Sequence, residues 1–236
     1  MQLLYELFPW IRESHPALLK NKAIFRDFDQ SRPLADYIFV VFDTELTGLN
    51  KRRDEIISIG AVKILNLHIE LSQSFHQYIR PRNMDPNQAT FVHRITPEQL
   101  RNAPPIEKVL HEFLEFCGPG LLVGHYVGID MHFLNRAAKK VLGGTLSNPC
   151  IDTMRMARAY QEALCAHDYG YCDQSISYSL DALSEKFDLP RFKSHDALED
   201  ALQTAYLFMF LLKKMKSGGI KTLRDLYKAG RIWRML

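Results

Sequence analysis

Cysteine is scarce in this chain. Four occur among 236 residues, at Cys117, Cys150, Cys165 and Cys172, and no two of them form a CxxC pair. That spacing excludes the usual structural zinc sites, and a domain of this length buries most of its apolar surface without a disulfide scaffold. A reducing, cytoplasmic setting is the expectation. Excess charge of one sign is also missing. Thirty Lys and Arg against 27 Asp and Glu leave a net charge of +3, which permits nucleic acid as a partner without arguing for it. No apolar run reaches the ~18 residues of a membrane span, so no membrane partner is expected. The opening residues carry Glu6 and no basic leader ahead of an apolar stretch, so no secretion signal is expected either. Internal repeats and low-complexity segments are absent. What is present, 47% hydrophobic and 24% charged residues, suits an ordinary folded protein, and one α/β domain with short extensions fits the length better than two full domains.

Residues 1–35 read as a helical arm and connector. Leu4, Phe8 and Ile11 recur at helical spacing, Pro16 can open a second short helix, and residues 26–33 are polar. The arm is expected to pack on the main domain, with docking of a protein partner as its functional alternative. The main domain, 36–216, opens with the near-continuous apolar run 37–42, which reads as a strand buried on both faces. Strands at 55–64 and 71–79 complete an antiparallel meander. A helix over 106–116 ends at Gly118-Pro119-Gly120, a short strand follows at 121–123, and a helix runs over 130–141. Ile151 marks a last short strand, a helix follows over 154–164, and residues 165–177 read as a polar, aromatic loop. A short helix at 179–187 has Ser179 as its cap, and a long helix over 196–216 is stopped by Gly218-Gly219. Residues 217–236 form a helical tail around 223–227. Strands in succession, then helices alternating with strands, predict an α/β fold with a mixed sheet flanked by helices.

Three local patterns carry chemistry. Asp43 and Glu45 stand two apart at the end of the predicted central strand, so their side chains share a face. Two carboxylates at the edge of an apolar core are costly unless a cation neutralises them, and a hard divalent ion, Mg²⁺ or Mn²⁺ before Zn²⁺, is the natural partner. A turn or cap is the plainer reading of the same residues. The second pattern, Gly124-His125-Tyr126-Val127-Gly128-Ile129-Asp130, places an acid where a helix begins. Taken alone, Asp130 is an N-cap. In the third, His195 precedes the long helix and Asp200 lies one turn into it, with Asp196 as the cap. Alone, His195 is a loop histidine and Asp200 a first-turn acid that suits the helix dipole.

The combination resembles the DEDDh exonuclease family, whose members include the epsilon proofreading subunit of bacterial DNA polymerase III and ribonuclease T. The resemblance rests on D-T-E-x-T-G at 43–48, on Asp130 after a strand and Gly124-His125, and on H-x-A-x-x-D at 195–200. Val92-His93-Arg94-Ile95-Thr96 and Ser179-Leu180-Asp181-Ala182-Leu183 resemble further family segments, so that the likeness spans 37 to about 212.

The resemblance implies a ribonuclease-H-like fold and 3′→5′ hydrolysis of nucleic acid with a free 3′ end. Single-stranded DNA is the expected substrate and nucleoside monophosphates the products. It implies two ions, Mg²⁺ or Mn²⁺, held by Asp43, Glu45, Asp130 and Asp200, with His195 as general base. A two-ion clamp on an in-line displacement and a histidine that accepts a proton near neutral pH are the chemistry such a reaction needs. Thr44, Leu46, Thr47 and Gly48, with His93 beside them, are implied at the 3′-terminal sugar and base. Leu46, Tyr126 and Ile129 depart from the family pattern and alter the expected terminal-base pocket, leaving the metal set intact. Lys51, Arg52 and Arg53 could meet phosphates or simply form a solvated hairpin end. Tyr169, Tyr171 and Tyr178 could stack on bases or plug the core. Competing readings are an RNA-trimming exoribonuclease of the same family and a catalytically weak nucleic-acid-binding module.

Overall fold

The apolar run that opens the main domain becomes the central strand, β1 (Phe39–Leu46), of a five-stranded sheet. In the computed structural model the described residues are 13–83, 93–167, 177–193 and 195–231. On one side β1 pairs antiparallel with β2 (Ile56–Leu65), which pairs antiparallel with β3 (His68–Tyr78). On the other it runs parallel to β4 (Leu121–Gly124), and β4 runs parallel to β5 (Cys150–Asp152). The order is β3-β2-β1-β4-β5, so β1 is where antiparallel pairing gives way to parallel. Phe39, Val40, Val41 and Phe42 have no solvent exposure, as a strand covered on both faces requires.

The two faces are covered by different helices. Between β3 and β4 the described residues include α2 (Pro97–Arg101) and α3 (Ile106–Cys117), and α4 (Gly128–Leu142) follows β4. Val40 and Phe42 share one core with Phe113 of α3 and Phe133 of α4. After β5 come α5 (Thr153–His167), α6 (Leu180–Lys186) and α7 (Ala197–Ser217). Phe39 and Val41, pointing the other way, share the second core with Ala205, Phe208 and Leu211 of α7.

The extensions are sewn to this frame. In α1 (Pro16–Ile24), Leu18 is 3% exposed and Asn21 exchanges bonds with Asn148 (2.6 Å) and the Ser147 amide (2.7 Å). The connector bridges Pro33 to Thr222, ahead of α8 (Leu223–Arg231), whose Leu223 and Leu226 are buried.

The mixed sheet flanked by helices is the architecture expected from the sequence, with local differences. The helix expected to open at Asp130 starts at Gly128 with Val127 as its N-cap, so Asp130 is its third residue rather than its cap. The short α2 was not anticipated, and its Thr96–Gln99 capping box accounts for it. Asp196 caps α7 by accepting from the Leu198 and Glu199 amides at 3.1 and 3.3 Å, and Ser179 caps α6 by accepting from Ala182 at 3.3 Å. The expected helix around Leu4–Ile11 and the loop tyrosines Tyr169 and Tyr171 lie outside the described residues. Cys117 and Cys150 are free, whereas Cys165 is disulfide-bonded, which departs from the fully reduced set expected. Among the described residues no helix is long and apolar enough to cross a membrane.

Candidate active site

Pairing of β1 with β2 continues past the apolar run, so Asp43 and Glu45 sit within the strand, opposite Gly60 and Ser58. They point to the face that α7 covers. Gly60 makes that approach possible. A Cβ there would lie 2.2 to 2.3 Å from backbone atoms of Ala197 and Leu198, so the first turn of α7 rests directly on the β2 backbone. The helix start is thereby delivered to the two carboxylates. Glu45, His195 and Asp200 each offer a ligand atom, and these atoms lie within 4.8 Å of one another.

The residues before α7 are clasped to its first turns. Lys193 donates its amide to Glu199 Oε2 (2.6 Å), and Phe192 donates to Gln203 Oε1 (3.1 Å). His195 adopts a left-handed backbone (φ 67°), and its amide donates to Asp200 Oδ2 at 2.8 Å. The bend leaves His195 exposed, beside Glu45 and Asp200.

Asp130 arrives from the opposite layer. It is 6% exposed, and its Oδ1 accepts the Thr44 hydroxyl at 2.5 Å. Thr44 points away from the Asp43–Glu45 face, and its hydroxyl is committed to Asp130. The β4–α4 turn is fixed from several sides. A Cβ at Gly124 would come within 2.8 Å of the Val127 side chain, and the Tyr126 amide donates to Asp152 Oδ1 at 3.1 Å. His125 has both ring nitrogens engaged, with Thr153 Oγ1 (2.9 Å) and the Tyr178 carbonyl (2.8 Å), and burial holds its pKa below the usual histidine value. It ties the turn to α5 and to the segment before α6.

The four carboxylates share one electrostatic problem. Burial, then Asp130, Asp200 and Glu45, hold Asp43 well above the usual carboxylate range. Glu45 is pushed up to about 8 by burial and by Asp200, Asp196 and Asp130. Asp130 is pushed up to about 7, chiefly by burial, against the opposing hydrogen bond from Thr44. Asp200 is pushed up to about 6 by burial, against the His195 amide. Among the described residues, no Lys or Arg is a leading cause of any of these shifts. Hard oxygen donors gathered with no compensating side-chain cation among the described residues fit a hard divalent ion.

The surrounding rim is built by three segments. Leu46 stands at a register shift that ends the β1–β2 ladder, and the Glu55 amide donates to Thr47 Oγ1 at 3.0 Å. The Asp54 carboxylate packs so close to Gly48 that a Cβ would lie 2.4 Å from it. Tyr126 and Ile129 are 42% and 40% exposed. His93 is buried, accepts from the Ile95 amide at 3.0 Å, and has a lowered pKa through burial and then His195, which puts it within electrostatic reach of that ring. Tyr178 is half-buried against the α7 core. Sequence reasoning missed Gly60, the Thr44–Asp130 bond and the double engagement of His125. A glycine inside a hydrophobic strand was the available signal for the first.

Residues 40–208 match the model of a family described as Exonuclease, RNase_T. The DNA polymerase III PolC-type of Thermotoga maritima is 36% identical over 205 residues, 87% of this chain and 14% of that protein. The same-named protein of Caldanaerobacter subterraneus subsp. tengcongensis is 37% identical over 188 residues, 80% of this chain and 12% of that protein. The chain therefore spans only 12 to 14% of the length of these relatives. Among solved structures, Exonuclease X in complex with 5′ overhanging duplex DNA superposes with a TM-score of 0.59 at 25% identity, covering 81% of this chain and 99% of that one. The nuclease domain of 3′hExo, a DEDDh family member bound to rAMP, shares the fold with a TM-score of 0.63 at 18% identity, covering 78% and 94%.

Proposed function

Because the chain belongs to the exonuclease family that its residues 40–208 match, we propose that it hydrolyses phosphodiester bonds one at a time from the 3′ end of single-stranded DNA and releases nucleoside monophosphates. The crowding of Asp43, Glu45, Asp130 and Asp200 beside the His195 imidazole carries this reading. The family implies use of divalent metal, and we assign these four carboxylates to two ions, Mg²⁺ or Mn²⁺. When bound, such a pair supplies a water of lowered pKa and neutralises charge on the phosphate and the departing 3′-oxygen.

The chain's own groups do the rest. His195 accepts the proton of the attacking water, and its exposed position lets that proton pass on to solvent. Thr44 orients Asp130 through its hydroxyl. Leu46, Thr47, Gly48 and His93, with exposed Tyr126 and Ile129, are assigned to the terminal sugar and base. DNA is favoured as substrate by the PolC-type relatives and by the DNA-bound Exonuclease X. On this reading the catalytic unit is residues 36–216, working in the cytoplasm, with residues 1–35 as a docking arm for a protein partner and 217–236 as a helical tail.

A 5′-labelled single-stranded DNA oligonucleotide tests the proposal. Products should shorten from the 3′ end with Mg²⁺ or Mn²⁺ and stop with chelator, and circular single strands should survive. No shortening with either ion overturns it. Faster digestion of matched RNA moves the substrate assignment to RNA.

A further inference from the structure

At the same end of the sheet as the carboxylates, but on the α3–α4 side, lies a cavity of about 890 Å³. Its floor is apolar, with Ile56, Ile79, Ile106 and Phe133. Among the described residues its walls carry seven Arg and Lys side chains and a single acid, Glu55. Glu55 is already engaged. It accepts the Arg82 amide at 2.7 Å and faces the Arg82 guanidinium at 3.9 Å. Arg136 is engaged too, since its guanidinium donates to the carbonyls of Lys51 and Asp54 and so pins the β1–β2 hairpin to α4. Arg52, Arg53, Arg80 and Lys139 differ. All four are exposed, and among the described residues none has a carboxylate within ion-pair distance. They come from three separate elements that converge on one hollow. Like charges held together without acids are unfavourable for the free protein and favourable once an extended polyanion lies among them.

We propose that this cavity binds the phosphodiester backbone of the substrate strand several nucleotides upstream of the scissile bond, as a second polynucleotide subsite. The claim rests on the nuclease reading of the carboxylate site. The hairpin itself links the two places: it leaves β1 at Leu46, directly after Glu45, and Arg52 and Arg53, a few residues on, border the cavity. A strand leaving the site over the hairpin meets the cations in sequence, and the apolar floor accommodates sugar and base faces.

The test is the paired reversal Arg80→Glu with Lys139→Glu, neither of which makes a hydrogen bond through its side chain among the described residues. Two substrates are compared, a 20-nucleotide single-stranded DNA and the p-nitrophenyl ester of thymidine 5′-monophosphate, which has no upstream phosphates. The oligonucleotide KM should rise about tenfold or more, and its salt slope should shrink by about 1.4, the value for two lost phosphate contacts on a single strand. Turnover of the ester should stay within twofold of the parent. Reversal of Lys213 and Lys216, exposed near the far end of α7, changes net charge equally and should leave both substrates unaffected. An unchanged oligonucleotide KM and salt slope overturn the subsite, and so does an equal effect from the α7 pair. If the parent hydrolyses neither substrate, the nuclease reading fails, and anisotropy of the labelled oligonucleotide in chelator still decides the cavity: weakened binding only in the Arg80/Lys139 variant supports it, and unchanged binding overturns it. Arg52→Glu with Arg53→Glu repeats the test from a different element.

Discussion

Gly60→Ala tests how the site is assembled without touching any proposed ligand. The added Cβ would sit 2.2 to 2.3 Å from the Ala197 carbonyl and the Leu198 nitrogen. Non-bonded carbon contacts settle near 3.5 to 4.0 Å, so the start of α7 must retreat by more than about 1 Å. His195 and Asp200 ride on that start, while Asp43 and Glu45 stay with β1. A displacement of ~1 Å between reacting groups costs about 10²-fold in rate. The strain of overpacking is about 1 to 3 kcal/mol, or roughly 3 to 10 °C in melting temperature for a chain of this size. The measurement is single-turnover digestion of a 5′-labelled oligonucleotide, alongside thermal denaturation by circular dichroism. The expected pattern is a variant that keeps its secondary structure, melts a few degrees lower and cleaves about a hundredfold more slowly. Cleavage at the parental rate would refute the claim that contact between α7 and the β2 backbone sets the geometry of the site.

Three further outcomes follow from the same arrangement. Without divalent metal the chain should lose stability as pH rises from about 4 to 8. The raised values of Glu45, Asp130 and Asp200 mean that the fold prefers these acids protonated, so their contribution is full in acid and is lost as pH climbs through about 6, 7 and 8. Mn²⁺ should restore several degrees at pH 8 and little at pH 5, and a metal-free melting temperature that is flat or rising over this range contradicts the crowding. Asp43→Asn should melt at or above the parent in chelator at pH 8 yet lose the Mn²⁺-dependent rise, whereas an unfolded variant with an intact metal titration would make Asp43 structural. His195→Ala should lower turnover by about 10² to 10⁴ with metal-dependent stabilisation retained, and an effect under about threefold removes it from the mechanism.

Much of the frame was legible because it follows from short-range rules. The apolar run at 37–42 announced a central strand, Asp196 and Ser179 announced helix starts, and Gly218 announced a stop. The shared face of Asp43 and Glu45 followed from the two-residue period of a strand, and the pairing continues far enough for that period to hold. What stayed hidden depends on contacts far apart in sequence. Thr44 and Asp130 are 86 residues apart, and nothing local indicates that one hydroxyl orients the other acid. His125 looked like part of a chemical motif, but both its nitrogens are spent on Thr153 and Tyr178. The cations of the large cavity are spread from Arg52 to Lys140, so only folding makes them neighbours.

Asp200 has two oxygens and two obligations. One oxygen fastens the amide of His195, and the same carboxylate lies within 4.8 Å of potential ligand atoms of Glu45 and of that imidazole. On the proposed reading, a cation drawn to this carboxylate would pull its electron density away from the amide it holds, so metal loading and the aim of His195 would be coupled through a single side chain. On that reading the coupling asks for no lid and no domain rotation, only a change of electrostatics at one carboxylate.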